Sequence, residues 1–110
     1  MGFGASQARY LMLTARQADL ELQGQFINQA RMALANMTSS LFTISSNLDP
    51  NSAQTQQIQA QIASIQAVDK SLELQLRNVD TQRDAVQTEI DAVRKVIGKN
   101  IEKTFNTFGG

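Results

Sequence analysis

The chain has 110 residues, with 10 basic and 10 acidic side chains, so its net charge is zero. That balance argues against a nucleic-acid binder, which would carry a basic surplus. Cysteine and histidine are absent, which removes disulfides, thiol nucleophiles, the usual general base and the commonest metal ligand. We therefore expect no catalytic site, no metal and no cofactor.

The first predicted element is a helix from about Ser6 to Asn47, in a stretch whose residues mostly favour or tolerate helix. It carries two apolar stripes, and a helix apolar over so wide an arc needs more than one neighbour. Phe26 and Phe42 are interpreted as core residues. The first stripe is Leu11, Ala15, Ala18, Leu22, Phe26, Ala30, Ala33, Met37, Leu41, Ile44 and Leu48. The second, with one residue per heptad, is Leu13, Leu20, Ile27, Leu34, Leu41 and Leu48.

A turn is predicted at residues 48–52, the only convincing break in the chain. Pro50 pushes Asp49 out of helical geometry, and Asn51 adds turn chemistry. Ser52 can cap the following helix. Because a short connection makes helices antiparallel neighbours, we predict an all-α fold: one domain, residues 1–110, formed by a long antiparallel two-helix hairpin.

The second helix is predicted from about residue 52 to 107 and carries a heptad seam. Asp69 and Arg83 interrupt the seam, and a polar seam residue can set register. Asp69 has Arg31 as a candidate partner; alternatively, the hairpin is splayed there and both seam residues reach water. After Ile97 the apolar spacing shifts phase. The apolar seam is Ile58, Ile62, Ile65, Leu72, Leu76, Val79, Val86, Ile90, Val93 and Ile97.

Self-association follows from the unequal numbers of apolar stripes. A two-helix hairpin buries one stripe of each helix, so the second stripe of the first helix is expected to stay exposed, and soluble monomers seldom expose a strip of that length. The tail phenylalanines, with Phe3 and Tyr10, are expected at the end opposite the turn, as a cluster or as knobs joining subunits. The predicted self-assembly residues are Leu13, Leu20, Ile27, Leu34, Phe105 and Phe108.

Other chemistry finds little support in the sequence. Asp80 and Asp84 share a helical face, but the nearby Arg77 and Arg83 favour a solvated charged face over an acid–base pair. No secretory signal is recognisable at the start of the chain. The least charged stretch, residues 32–48, is too polar for a membrane span.

The architecture resembles the needle subunits of type III secretion systems, and flagellar rod-type and flagellin terminal helices are similar in kind. The turn Leu48-Asp49-Pro50-Asn51-Ser52 and the tail from Val93 to Phe105 carry this resemblance. The segment from Ser6 to Arg16 resembles a stretch in small uncharacterised bacterial proteins. The needle resemblance implies a terminal amphipathic helix that packs inside a helical tube, export without a signal peptide and a filament outside the cell.

The leading hypothesis is a structural subunit that self-assembles into a filament or tube, with itself as partner and possibly a secretion machine. One alternative is a cytoplasmic coiled-coil adaptor or secretion chaperone that binds another protein through the exposed stripe. Another is a small closed homo-oligomer. An enzyme, a nucleic-acid partner and a membrane span are not expected.

Overall fold

The structure is a computed structural model that describes the backbone of residues 2–109 and the side chains of residues 2–103. Two helices form it: α1 spans Phe3–Ser46 and α2 spans Ala53–Gly109. Residues 2–109 contain no strand. The predicted all-α helical hairpin is therefore confirmed, although α1 begins three residues before the predicted Ser6.

Polar groups of the turn hold the connection between the helices. The carboxylate of Asp49 accepts a hydrogen bond from the backbone N–H of Asn51 at 3.0 Å. The Ser52 hydroxyl accepts one from the backbone N–H of Thr55 at 3.2 Å, which is the predicted cap of α2. The Thr55 hydroxyl, itself buried, donates to the Asp49 carbonyl oxygen at 2.7 Å. The bond to the Thr55 N–H satisfies one of the donors that a helix start leaves open, and the other two hold the turn against it.

Two compact units divide the chain, and each contains a segment of both helices. The terminal unit comprises Met1–Gln23 and Val79–Gly110, and the turn unit comprises Gly24–Asn78. Within the terminal unit the helices are antiparallel, because Arg9 pairs with Glu89 while Glu21, later on α1, lies beside the earlier Arg83 on α2. Within the turn unit the short connection imposes the same antiparallel arrangement.

The face of α1 that meets α2 is the second stripe. Leu13 and Leu20 are only 6% and 3% exposed, and Ile27 and Leu34 are half-buried. The expectation that the hairpin leaves these four side chains exposed is therefore wrong. Most of the first stripe lies outside instead: Leu11, Leu22, Phe26, Met37 and Ile44 are exposed, whereas Leu41 and Leu48, which belong to both stripes, are half-buried.

The seven-residue period that the two helices share explains why the second stripe, and not the first, packs against α2. Its members recur every seven residues, as the seam of α2 does, so the two rows stay opposed along the helices. The first stripe advances in unequal steps and drifts around α1, away from α2. The alternate positions of the α1 seam are mostly polar, and every one is buried or half-buried: Tyr10, Gln17, Gly24, Arg31, Thr38 and Ser45.

The seam of α2 follows its heptads through the described side chains. Ile58, Ile62, Val79, Val86, Ile90 and Val93 are buried, and Ile65, Leu72, Leu76 and Ile97 are half-buried. The next heptad position, Asn100, is also half-buried, whereas Ile101 is exposed. The burial pattern therefore does not shift to Ile101, as the apolar spacing had indicated. The predicted contacts of Phe105 and Phe108 lie outside the described side chains.

Candidate self-association surface

Exposed large apolar side chains are concentrated on α1. Phe26 is 60% and Phe42 is 56% exposed, so the interpretation of both as core residues is wrong. The remaining ones on α1 are Phe3, Leu11, Met12, Leu22, Met32, Met37 and Ile44, against only Val68, Leu74 and Ile101 on the described part of α2. The outer face of α1 is thus the apolar surface of the hairpin, while that of α2 is mostly polar.

In the terminal unit, long polar side chains bridge the seam. Arg9 donates to the Glu89 carboxylate at 2.8 Å, and the Gln17 amide donates to the Gln87 side chain. The aliphatic stems of such residues cover apolar surface while their polar ends stay in water. The seam valines and leucines beneath these side chains are buried, so the seam of the terminal unit is shielded from solvent at its sides.

Tyr10 and Arg94 form a further bridge in the terminal unit. The Arg94 guanidinium donates to the Tyr10 hydroxyl at 3.2 Å and lies 5.7 Å from the centre of its ring. The hydrogen bond from Arg94, followed by its charge, lowers the pKa of Tyr10. Tyr10 thereby makes its contacts within its own chain, as a member of the seam.

The turn unit is open on both sides of its seam. A first groove of about 770 Å³ runs along one side, with Leu41 and Ile65 as its apolar floor. Ser40, Ala60 and Ser64 make parts of its walls short, and the longer Asn36 and Gln61 line it as well. Met37 stands at its rim, 52% exposed.

A second groove, of about 630 Å³, lies on the other side of the seam. Along α1 it is lined by Met32, Ala35, Ser39 and Phe42, whose 3-4-3 spacing places them on one helical face. Met32 and Phe42 are exposed, and the two residues between them are small. Each side of the turn unit therefore has an open groove lined by both apolar and polar side chains.

Arg31 and Asp69 form a two-pronged ion pair that lines the second groove. Nε of Arg31 donates to Oδ1 of Asp69 at 2.8 Å, and a terminal nitrogen donates to Oδ2 at 3.3 Å. The Arg31 hydrogen bond holds the pKa of the Asp69 carboxyl below its usual value, and burial opposes this. Such a fork has a fixed geometry, so it suits the predicted register role, which remains a prediction.

Arg83, the other polar residue in the α2 seam, makes looser contacts. Its guanidinium lies 3.8 Å from the Glu21 carboxylate across the seam and 3.7 Å from that of Asp80 on its own helix. All three side chains are substantially exposed. The contacts of Arg83 therefore support a register-setting role less well than the contacts of Asp69 do.

Charge is distributed as unevenly as apolar surface. Between Met32 and Val68 the sequence contains a single charged residue, Asp49, which is in the turn. Arg31 and Asp69, the next charges on either side, are paired with each other. The outer surface of the turn unit near its turn is thus built from uncharged polar and apolar side chains.

The sequence-predicted interface and the exposed surface are different sets of residues. Leu13, Leu20, Ile27 and Leu34 belong to the seam, and Phe105 and Phe108 lie outside the described side chains. The sequence prediction missed the surface because it traced the stripes of the first helix through apolar residues alone and did not place the polar residues Gln17, Arg31 and Thr38 in the seam. Placing them between the leucines completes a 4-3 pattern and turns the other stripe outward.

Among the described residues, neither helix contains a stretch long and apolar enough to cross a membrane. No family model matches the sequence, and comparisons with curated proteins and with solved structures found no match. The function must therefore be inferred from the residues of this chain.

Proposed function

We propose that this protein is a structural subunit that self-assembles with its own copies into a helical filament or tube. The observation that carries the proposal is the apolar outer face of α1, which each unit displays separately. Leu11 and Leu22 are exposed in the terminal unit, and Phe26, Met37 and Ile44 in the turn unit. Monomeric proteins seldom leave large contiguous apolar patches in water, and covering them releases free energy in proportion to their area.

A second copy is the occupant that the charge distribution favours. When copies pack through their turn units, both partners bring a surface that is uncharged near the turn. Such a contact removes few charges from water, a step that would otherwise cost free energy. A recognition surface for a different protein more often carries charges that select and steer that partner.

The resemblance to needle subunits extends the proposal to location and machine. A needle-like filament at the cell surface, exported without a signal peptide and assembled by a secretion machine, fits a hairpin with an apolar outer face. This part of the proposal depends on the resemblance of the turn and the tail.

A cytoplasmic adaptor or secretion chaperone is the second candidate, and the grooves favour it. An amphipathic helix of a client protein can lie in an apolar groove of this kind. The two candidates differ in the behaviour of the isolated protein: a filament subunit grows with concentration, whereas an adaptor stays a small species until its client is added.

The experiment is negative-stain electron microscopy of the purified protein together with light scattering across a concentration series. We expect filaments of constant width above a threshold concentration. A discrete monomer, dimer or tetramer at every concentration would contradict the proposal and lead to a search for a client helix.

Two matched variants connect assembly to the outer face of α1. Phe42→Glu replaces a 56% exposed side chain of α1, and Leu74→Glu makes the same kind of change at a 52% exposed position of α2 in the same unit. Both should leave the circular dichroism of the hairpin unchanged. We expect Phe42→Glu to raise the threshold concentration at least about tenfold, since each lost apolar contact is worth roughly 1.5 kcal/mol, and Leu74→Glu to change it little. Equal effects of the two variants would show that assembly does not depend on the outer face of α1.

A further inference from the structure

The turn unit has two different grooves, and their difference defines how one copy can meet the next. The first groove has a large side chain, Met37, at its rim and small side chains, Ser40 and Ser64, in its walls. The second groove has the reverse order along α1, with small Ala35 and Ser39 between large Met32 and Phe42. Each groove therefore combines large and small side chains: Ser40 and Ser64 of the first, beside the longer Asn36 and Gln61, leave room for large residues such as Met32 and Phe42 of the second.

We propose that copies join through their turn units, the first groove of one copy receiving the Met32–Phe42 face of the next copy. In this arrangement Met37 of the first copy packs over Ala35 and Ser39 of the next copy. Phe42 of the next copy fills the space between the short side chains of the first groove. Small side chains at the contact allow two helices to approach at the lower end of the usual 8–10 Å separation. The inference rests on the proposed self-assembly and identifies its interface.

This contact is heterologous, since it joins two different surfaces. Each copy that binds through its first groove still offers its second groove to a further copy, so association continues into a ring or an open helical polymer. A contact of one groove with its own equivalent would instead close after two copies and leave the opposite groove uncovered. Apolar channels on both sides of the seam thus favour a polymer over a closed dimer.

The absence of charge supports the same pairing. Met37, Leu41 and Ile65 meet Met32, Ala35 and Phe42, and none of the surrounding residues from Met32 to Val68 is charged apart from Asp49 in the turn. The one ion pair at the second groove, Arg31 with Asp69, is already satisfied within its own subunit. Stacking copies on this surface therefore desolvates few charges, a step that would otherwise cost free energy.

A pair of blocked variants tests the two surfaces separately. Ala60→Lys puts a long cation into the wall of the first groove, and Ser39→Lys does the same in the second. Both positions are exposed in the single chain, so each variant should keep its helical circular dichroism and its unfolding midpoint. Ala63→Lys, an exposed position three residues beyond Ala60 that lines neither groove, is the matched control.

We expect each blocked variant alone to remain monomeric at concentrations where the wild type and Ala63→Lys polymerise. A mixture of the two blocked variants should form a one-to-one dimer and stop, because one intact first groove and one intact second groove meet. Light scattering of the separate and mixed samples measures this.

Other outcomes overturn the inference in recognisable ways. Dimers formed by one blocked variant alone indicate a symmetric contact of one groove with itself. A mixture that stays monomeric, or blocked variants that polymerise like wild type, places the interface elsewhere while self-assembly stands. A wild type that never assembles overturns the proposed function itself.

Discussion

The terminal unit and the turn unit share one heptad pattern and differ in how well it is covered. In the terminal unit Leu13, Leu20 and Val86 are buried, under bridges such as that between Arg9 and Glu89. In the turn unit Ile58 and Ile62 of α2 are also buried, but the equivalent α1 residues Leu34 and Leu41 are only half-buried. The heptad decides which faces of two helices pair, and the residues beside the seam decide whether the pair needs a further neighbour.

The side chains flanking the seam account for this difference. Arginine, glutamine and glutamate reach across the terminal unit, and their stems exclude water from the seam. In the turn unit the heptad positions of Arg9 and Glu89 are occupied by Met37 and Gln61, and small residues also line the grooves at Ala35, Ser39, Ala60 and Ser64. In the proposed assembly, the turn unit is therefore the part of the hairpin that meets another copy.

The largest expected effect comes from removing one seam leucine in each unit. Leu20→Ala empties a buried site, so it should lower the free energy of unfolding by about 2–5 kcal/mol. Leu34→Ala removes a side chain that is still half in water, so its cost should be roughly half as large. Urea unfolding below the assembly threshold measures both. Equal losses would contradict the difference between the units.

Much of the fold was predictable because it depends on local signals. Pro50 and the polar residues around it specify the turn, Ser52 specifies the start of α2, and regular spacing specifies the α2 seam. The α1 seam was not predicted, since hydrophobicity alone ranks Phe26 above Gln17 as a buried residue. Gln17 is half-buried because it faces the Gln87 side chain, and that partner is visible only once the two helices are in register.

The cap of α2 should stabilise the turn unit more than the terminal unit. Ser52→Ala removes the acceptor for the Thr55 N–H and should cost about 1 kcal/mol, whereas Ser52→Gly should cost only a few tenths. Because helical hairpins open locally, we expect faster amide exchange at the start of α2 and unchanged exchange near Val86. Hydrogen exchange read by mass spectrometry checks this. Uniform acceleration in both units would mean that they open together.

The Arg31–Asp69 pair should give the turn unit a small dependence on acid. The pKa of Asp69 is lower in the folded chain than in the unfolded one. The ionised Asp69 carboxylate therefore stabilises the fold fully above the ordinary carboxyl pKa of about 4, and this stabilisation disappears as pH falls through the lower folded value. Carboxyl-carbon NMR titration should find the pKa of Asp69 below the ordinary range, and Arg31→Gln should return it upwards. An unchanged pKa in that variant would show that Arg31 does not hold the carboxylate.

The smallest expected effect is that of salt on assembly, and it tests most directly which of the two units forms the contact between copies. Ion pairs of the terminal unit such as Arg9–Glu89 are about half exposed, so salt screens them. The grooves of the turn unit carry no charge beyond the internally paired Arg31 and Asp69. If copies meet there, the threshold concentration should change less than about twofold between roughly 0.05 M and 0.5 M sodium chloride, while sodium sulfate, which strengthens apolar association, should lower it. A threshold that rises tenfold with chloride would mean that ion pairs join the copies, and the charged terminal unit would then have to be part of the interface.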